Sequence, residues 1–182
     1  MSVSEAPVLT TWNVDPSHSN FEFAVRHLMI STVKGRFTDV KGAVQADDGD
    51  LTSGKVDITI AAASLDTREP QRDAHLRSPD FFDVEKFPTI SFRSTRVERA
   101  SGDTFRLVGD LTIHGITQEV ALDVTREGRG KDPWGGERAG FSATTKIKRS
   151  AFGLMWNQLM ETGGMVVGDD VKISVDIELI KA

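Results

Sequence analysis

The chain has 182 residues, of which 38% are hydrophobic and 27% charged, and its net charge is −5. That size and balance fit one globular domain with a core of its own, and the acidic surplus argues against a nucleic-acid partner. Cysteine is absent, which excludes disulfides, thiolate nucleophiles and cysteine-based metal sites. No apolar run approaches the roughly 18 residues of a membrane helix. The opening MSVSEAPVLTTW has neither a basic segment nor an apolar one, so no secretory signal is expected and the cytoplasm is the expected location.

In chain order, residues 1–11 read as a flexible arm and residues 12–182 as a single domain. A short strand is predicted near Trp12–Asp15, stopped at Pro16. SNFEFAVRHL sets Phe21, Phe23 and Val25 on one face and Glu22 and Arg26 on the other. The segment Met29–Lys34 breaks this alternation and predicts a short helical turn or bend ending at Gly35. FTDVKGAVQA resumes it, DDGD (47–50) is a hairpin turn, and GKVDITIAA points Val56, Ile58 and Ile60 inward.

The period then changes. EPQRDAHLRS places Pro70 at a first helical position, with Asp73 four residues before Arg77, the spacing of a short helix carrying an acid–base pair. SPDFFD reads as a turn burying Phe81 or Phe82. Strands return at TISFRSTRV, TFRLVGDLTI and QEVALDVTRE. The glycine-dense stretch 128–140 reads as the longest loop, followed by a strand at FSATTKIKR. SAFGLMWNQLME predicts a turn and short helix, ended by Gly163 and Gly164. The last strand, VKISVDIEL (171–179), alternates strictly, with Val171, Ile173, Val175, Ile177 and Leu179 on one face. About eight one-sided strands with a single helix predict an antiparallel barrel or sandwich.

Few constellations suggest chemistry. His18, His27, His75 and His114 stand at no metal-binding spacing, so polar strand ends and a helix surface are the expected settings. Asp15, His18 and Ser19 lie too close in sequence for a hydrolytic triad, and a local turn whose side chains bond the backbone is expected. Asp47, Asp48 and Asp50 lack the glycine position and distal glutamate of a calcium loop. Arg68, Arg72 and Arg77 with His75 read either as a solvated face or as a holder for an anionic group at a cavity mouth. Phe152, Leu154, Met155, Trp156 and Met160 form an apolar cluster suited to core or to a flexible apolar ligand.

Taken together, WNVDPSHSNFEFAVRHL, VKGRF, RDAHLRSPDFFDVEKFPTISF (72–92), GDLTIHGITQEV (109–120), DPWGGERAGF (132–141), Arg149 with the following FGL and Trp156, and VGDDVKISVDIEL (167–179) resemble the YceI-like family of polyisoprenoid-binding proteins. The resemblance runs from about Trp12 to Leu179. It implies an all-β fold, an extended, lipocalin-like, eight-stranded antiparallel barrel with one short helix between strands and a long apolar channel. It further implies binding of long-chain isoprenoids such as polyprenyl diphosphates and prenylated quinone precursors, and no established catalysis. Many relatives of this type are periplasmic. Two departures are local: Thr67-Arg68-Glu69-Pro70 stands where a turn with Asn or Gly is usual, and Ala151 where an acidic residue is common.

The expected protein is therefore a soluble carrier, store or buffer for a polyisoprenoid or isoprenoid-quinone-type amphiphile. A homodimer is compatible with it; a cofactor, a metal and catalytic residues are not expected. An enzyme acting on such a lipid through His75, Asp73 or His18 is one alternative, and a packed sandwich that serves only as an interaction module is another. The expected tail lining is Phe21, Phe23, Val44, Ile58, Ile60, Phe92, Leu111, Leu122, Phe141, Trp156, Ile173 and Val175, with Gly42 and Gly109 leaving room. Arg72 and His75 are the candidates for the ligand's polar end, from the family signature.

Overall fold

A computed structural model describes residues 8–47, 49–160 and 164–182. Among them, eleven strands form one antiparallel sheet: β1 (Thr10–Val14), β2 (Asn20–His27), β3 (Ser31–Phe37), β4 (Val40–Asp47), β5 (Asp50–Ala61), β6 (Leu65–Asp66), β7 (Thr89–Ser101), β8 (Thr104–Ile113), β9 (Ile116–Lys131), β10 (Glu137–Lys148) and β11 (Val167–Lys181). One α-helix, α1 (Pro70–Arg77), lies between β6 and β7. Proline supplies its preset first position, and the Glu69 carboxylate caps it by accepting from the amides of Gln71 and Arg72.

Eight of the strands close on themselves. The order β1-β4-β5-β7-β8-β9-β10-β11 returns to β1 through Trp12–Lys181, Asn13–Ile180 and Val14–Leu179. Closure leaves no free edge in this ring, and eight strands enclose a lumen that side chains fill or one ligand occupies. Strand β2 follows β1 after a 3-10 turn and pairs with the other half of β11, Phe21 opposite Val175. Strands β3 and β6 add to β2 in turn, so a three-strand flap prolongs the wall at one end. The wall is tall: β9 has 16 residues and β11 has 15, lengths that reach about 50 Å when extended.

Two buried clusters lie within it. One gathers Ile90, Leu111, Ile113, Phe152 and Leu154; the other gathers Trp12, Val14, Val40, Ile58 and Leu179. Phe37, Ile60 and Phe92 touch both but are only partly buried.

Several expectations are corrected. The first strand starts at Thr10, within the residues read as an arm, of which residues 1–7 lie outside the described residues. Residues 29–34 hold no helical turn; a tight turn at Leu28–Met29 leads straight into β3. The inward face of β3 is Val33, Gly35 and Phe37, and glycine hides the alternation. A side chain at Gly35 would collide with the Phe23 ring, 2.4 Å from an ideal Cβ. The stretch 128–140 is mostly strand: Gly128 pairs with Gly140 and Lys131 with Glu137, leaving a turn only at 132–136. Residues 153–160 carry no helix beyond the 3-10 turn Arg149–Phe152. Asp73 and Arg77 form no pair, because each has a backbone task. Asp73 is buried and accepts from the Thr67 amide and hydroxyl, while Arg77 donates to the carbonyls of Ala63 and Leu65. Asp48 and Gly163, named in the turn readings, and the last residue of SAFGLMWNQLME, Glu161, lie outside the described residues.

Candidate ligand-binding channel

A cavity of about 640 Å³ occupies the barrel, within the roughly 300–1,000 Å³ typical of small-molecule sites. Its wall is built by alternation, since each strand turns every second side chain inward. Strand β11 contributes Val171, Ile173, Val175, Ile177 and Leu179; β2 contributes Phe21, Phe23 and Val25; β5 contributes Val56, Ile58 and Ile60; β10 contributes Phe141, Ala143, Thr145 and Ile147. All twelve residues expected to line a channel border this cavity: Phe21, Phe23, Val44, Ile58, Ile60, Phe92, Leu111, Leu122, Phe141, Trp156, Ile173 and Val175. Arg72 and His75 border it as well.

Gly42 and Gly109 do not leave room. An ideal Cβ at Gly42 would meet Ile58 Cδ1 at 2.5 Å, and one at Gly109 would meet Phe92 at 2.6 Å. These glycines let a neighbouring strand's side chain lie across them.

The ends of the cavity differ. At one end Trp12 is buried beside Leu179, with the Arg129 guanidinium over its ring at 5.1 Å. At the other end nearly all the polar lining gathers: Glu22, Arg26, His27, Glu69, Gln71, Arg72, His75 and Arg149. Here β2 and β3 turn, α1 lies across, and residues 153–160 and 164–166 pass. Three rings cover the apolar interior, with His75 edge-on to Phe81 at 5.1 Å and to Trp156 at 4.7 Å.

The polar groups of this end are mostly engaged. Arg72 donates from Nε to the Thr67 hydroxyl and from Nη2 to the Thr67 carbonyl, both 2.7 Å, leaving Nη1 without a hydrogen bond among the described residues. His75 Nε2 and Asp80 share a 2.8 Å hydrogen bond. Arg149 is buried and donates to four carbonyls, those of Leu154, Trp156, Val167 and Gly168. Burial pushes its guanidinium below the ordinary value, which nearby Asp169 partly offsets. It clasps segment 153–157 to the start of β11. Sequence reasoning noticed Arg149 in the family pattern but not this role, nor Arg26 and His27 at the rim. Arg68, expected beside Arg72, is exposed with φ +65°, the left-handed conformation for which Asn or Gly is usual. That geometry explains why Asn or Gly is usual at this turn; nothing in the structure explains why Arg68 replaces it.

Away from the cavity, Asp15, His18 and Glu178 bring ligand-type atoms within 4.8 Å of one another. The Arg138 guanidinium already bridges Asp15 and Glu178 at 2.8 and 2.9 Å, so a cation stands between these carboxylates. Ser17 and His18 both bond Asp15, in the local turn expected from the spacing. Ser19 instead turns to the Glu178 backbone.

A family model described as YceI-like domain matches residues 12–179. A UPF0312 protein of Staphylococcus aureus (strain USA300) is 39% identical over 171 residues, covering 93% of this chain and 97% of the relative. Among solved structures, BcnA of Burkholderia cenocepacia superposes with a TM-score of 0.80 at 25% identity, over 91% of this chain and 98% of the other. A Campylobacter jejuni YCEI protein gives 0.73 at 32% identity, over 86% and 90%. A polyisoprenoid binding domain from Saccharophagus degradans gives 0.69 at 15% identity, over 95% and 99%, a likeness of fold alone. By its barrel and by the match along nearly its whole length, the chain belongs to the YceI-like family.

Proposed function

We propose that this protein takes one long-chain isoprenoid lipid, a polyprenyl diphosphate or an isoprenoid-quinone-type amphiphile, tail first into its barrel and carries, stores or buffers it. The observation that carries this reading is the cavity: an apolar lumen inside a tall barrel, with polar side chains gathered at one end. Burying a tail yields about 0.8 kcal/mol per methylene, so affinity needs no reactive group. The polar end is then the entrance, with Arg72 Nη1 and His75 near the ligand's head. The polyisoprenoid binding of the Saccharophagus degradans domain, which shares the fold, is in keeping with this choice of lipid.

The rival reading, an enzyme on the same lipid, has less to draw on. Of its proposed acid–base groups only His75 borders the cavity; Asp73 is buried against Thr67 and His18 joins the Asp15 network. The test is extraction of the gently purified protein with organic solvent, followed by incubation of lipid-free protein with a prenyl diphosphate. Carriage predicts a recovered isoprenoid at near one per chain or per dimer, and the added diphosphate returned intact. Repeatedly empty protein that takes up no prenyl lipid overturns carriage; a changed diphosphate supports the enzyme.

A further inference from the structure

The polar end of the barrel carries a second feature that ligand binding inside does not use. Nine large hydrophobic residues are exposed among the described residues, and five of them sit on two segments beside the cavity's polar end: Met29, Ile30, Met155, Leu159 and Met165. Ile30 is 77% exposed and Leu159 66%. The two segments are joined, since the Leu28 amide donates to the Val166 carbonyl at 2.8 Å and Leu159 bridges to Met165. Every methionine of the chain after Met1 falls in them, a side chain whose flexibility suits an irregular apolar contact.

The backbone at the tip is unusual. Leu28 and Met29 have φ of +53° and +59°, and the Ile30 amide closes the turn on the His27 carbonyl at 3.1 Å. Turns of this kind favour Asn-Gly. Here two bulky apolar residues hold that conformation, and the turn presents Met29 and Ile30 to water.

Three arginines gather beside this patch, although the chain is net negative and Asp169 stands near Arg149. Arg26, Arg72 and Arg149 border the cavity here, and their hydrogen bonds go to carbonyls and hydroxyls, with no carboxylate in ion-pair contact among the described residues. The carboxylates of the same lining are engaged: Glu69 caps α1, and Glu22 faces Asn20 and Lys34.

We propose that this rim docks on the surface of an anionic phospholipid bilayer, inserting Met29, Ile30 and Leu159 at the boundary of headgroups and acyl chains, so that the channel exchanges its lipid with the membrane. Apolar side chains flanked by cations are what such a boundary accepts. A protein partner would instead need a continuous complementary patch of about 800 Å², whereas these side chains stand on two separate short segments beside an opening. The proposal rests on the lipid-carrier reading, which a separate arm of the test checks.

Because the chain has no cysteine, Ile30→Cys accepts one environment-sensitive fluorophore. Trp134→Cys provides the control, at an exposed tryptophan in the β9–β10 turn of the opposite end. With vesicles of phosphatidylcholine and phosphatidylglycerol, the label at position 30 should shift to the blue and brighten, less so on pure phosphatidylcholine or at high salt. The label at position 134 should not change. Combined Met29→Ser, Ile30→Ser and Leu159→Ser should cut vesicle co-sedimentation by about tenfold or more while leaving uptake of a short water-soluble prenyl diphosphate from solution unchanged. A parent protein that binds this diphosphate but leaves the label at position 30 unmoved by vesicles overturns docking and spares the carrier reading. Failure to bind the diphosphate overturns the carrier reading instead. A response at position 134 overturns the choice of end. A dimer that the serine substitutions dissolve, with vesicle binding unaltered, makes the rim an interface between copies and overturns the membrane.

Discussion

Val175→Phe separates a hollow barrel from a filled one. Val175 lies midway along β11, opposite Ala143 of β10 and Phe21 of β2, and its side chain borders the cavity. The substitution adds four carbons. In an open lumen, at about 0.8 kcal/mol per buried carbon, the gain is capped near 3 kcal/mol, and a ring with wall on one side realises about 1. In a packed core the same ring overfills its site and costs about 1–3 kcal/mol. The two cases differ in sign and are separated by roughly 5–15 °C in melting temperature for a domain of this size. Unfolding must be measured on lipid-free protein, because a bound ligand adds its own stabilisation. Prenyl-lipid uptake is read on the same sample. Displacing two methylenes' worth of tail contact costs about 1.6 kcal/mol, so affinity should fall about tenfold or more. Clear destabilisation with uptake unchanged would refute the reasoning.

Arg72→Ala should weaken binding of a prenyl diphosphate more than that of the matching alcohol, since Nη1 acts on charge and not on the tail; equal affinities for the two lipids in variant and parent would return Arg72 to a purely structural role with Thr67. Arg149→Met removes the clasp on Leu154, Trp156, Val167 and Gly168. With bonds to charged donors contributing about 1.5–3 kcal/mol each and water replacing part of that at the rim, a loss of about 3 kcal/mol is expected in denaturant unfolding, and an unchanged midpoint would contradict the clasp. Burial opposes ionisation of Asp15, but hydrogen bonds from Ser17, Arg138 and His18 outweigh it and hold the carboxyl well below the usual range. A carboxyl depressed in the folded state stabilises fully above its unfolded value near 4 and loses that contribution as pH falls further. Stability should therefore start to fall below about pH 4 and fall less steeply in Arg138→Gln; identical acid titrations of the two proteins would remove the network from this account. Elemental analysis should find no stoichiometric metal at Asp15, His18 and Glu178, and a metal lost with His18→Ala would reverse that expectation.

Much of the barrel was legible because its inward positions are Val, Ile, Leu and Phe at strict period two. The face of β11 and those of β2 and β5 came directly from that pattern, and the cavity lining follows from them. The pattern failed where glycine replaces an apolar residue or where the ladder slips. Gly35 concealed β3 because the space its side chain would take belongs to Phe23. A bulge between Ser94 and Arg96 changes the parity of β7, so Ile90 and Phe92 line the cavity together with Val97. Glycines 128, 130 and 140 suggested a loop, yet long-range pairing of β9 with β10 holds them in strands. The polar end was the least legible part. Arg72, Arg149 and Arg26 come from three distant segments, and their shared position follows from barrel closure, which no local pattern encodes. Asp73 and Arg77 show the converse: a good helical spacing was overridden by backbone groups that needed partners.

Whether the lumen holds a lipid tail is read most directly by native mass spectrometry of protein purified without detergent. The account predicts a species heavier than the 182-residue chain by the mass of one long-chain isoprenoid per chain or per dimer, released on activation, absent after delipidation and restored by adding a prenyl lipid. Protein that flies at its bare mass from a lipid-rich host, and stays there after a prenyl lipid is added, would contradict it.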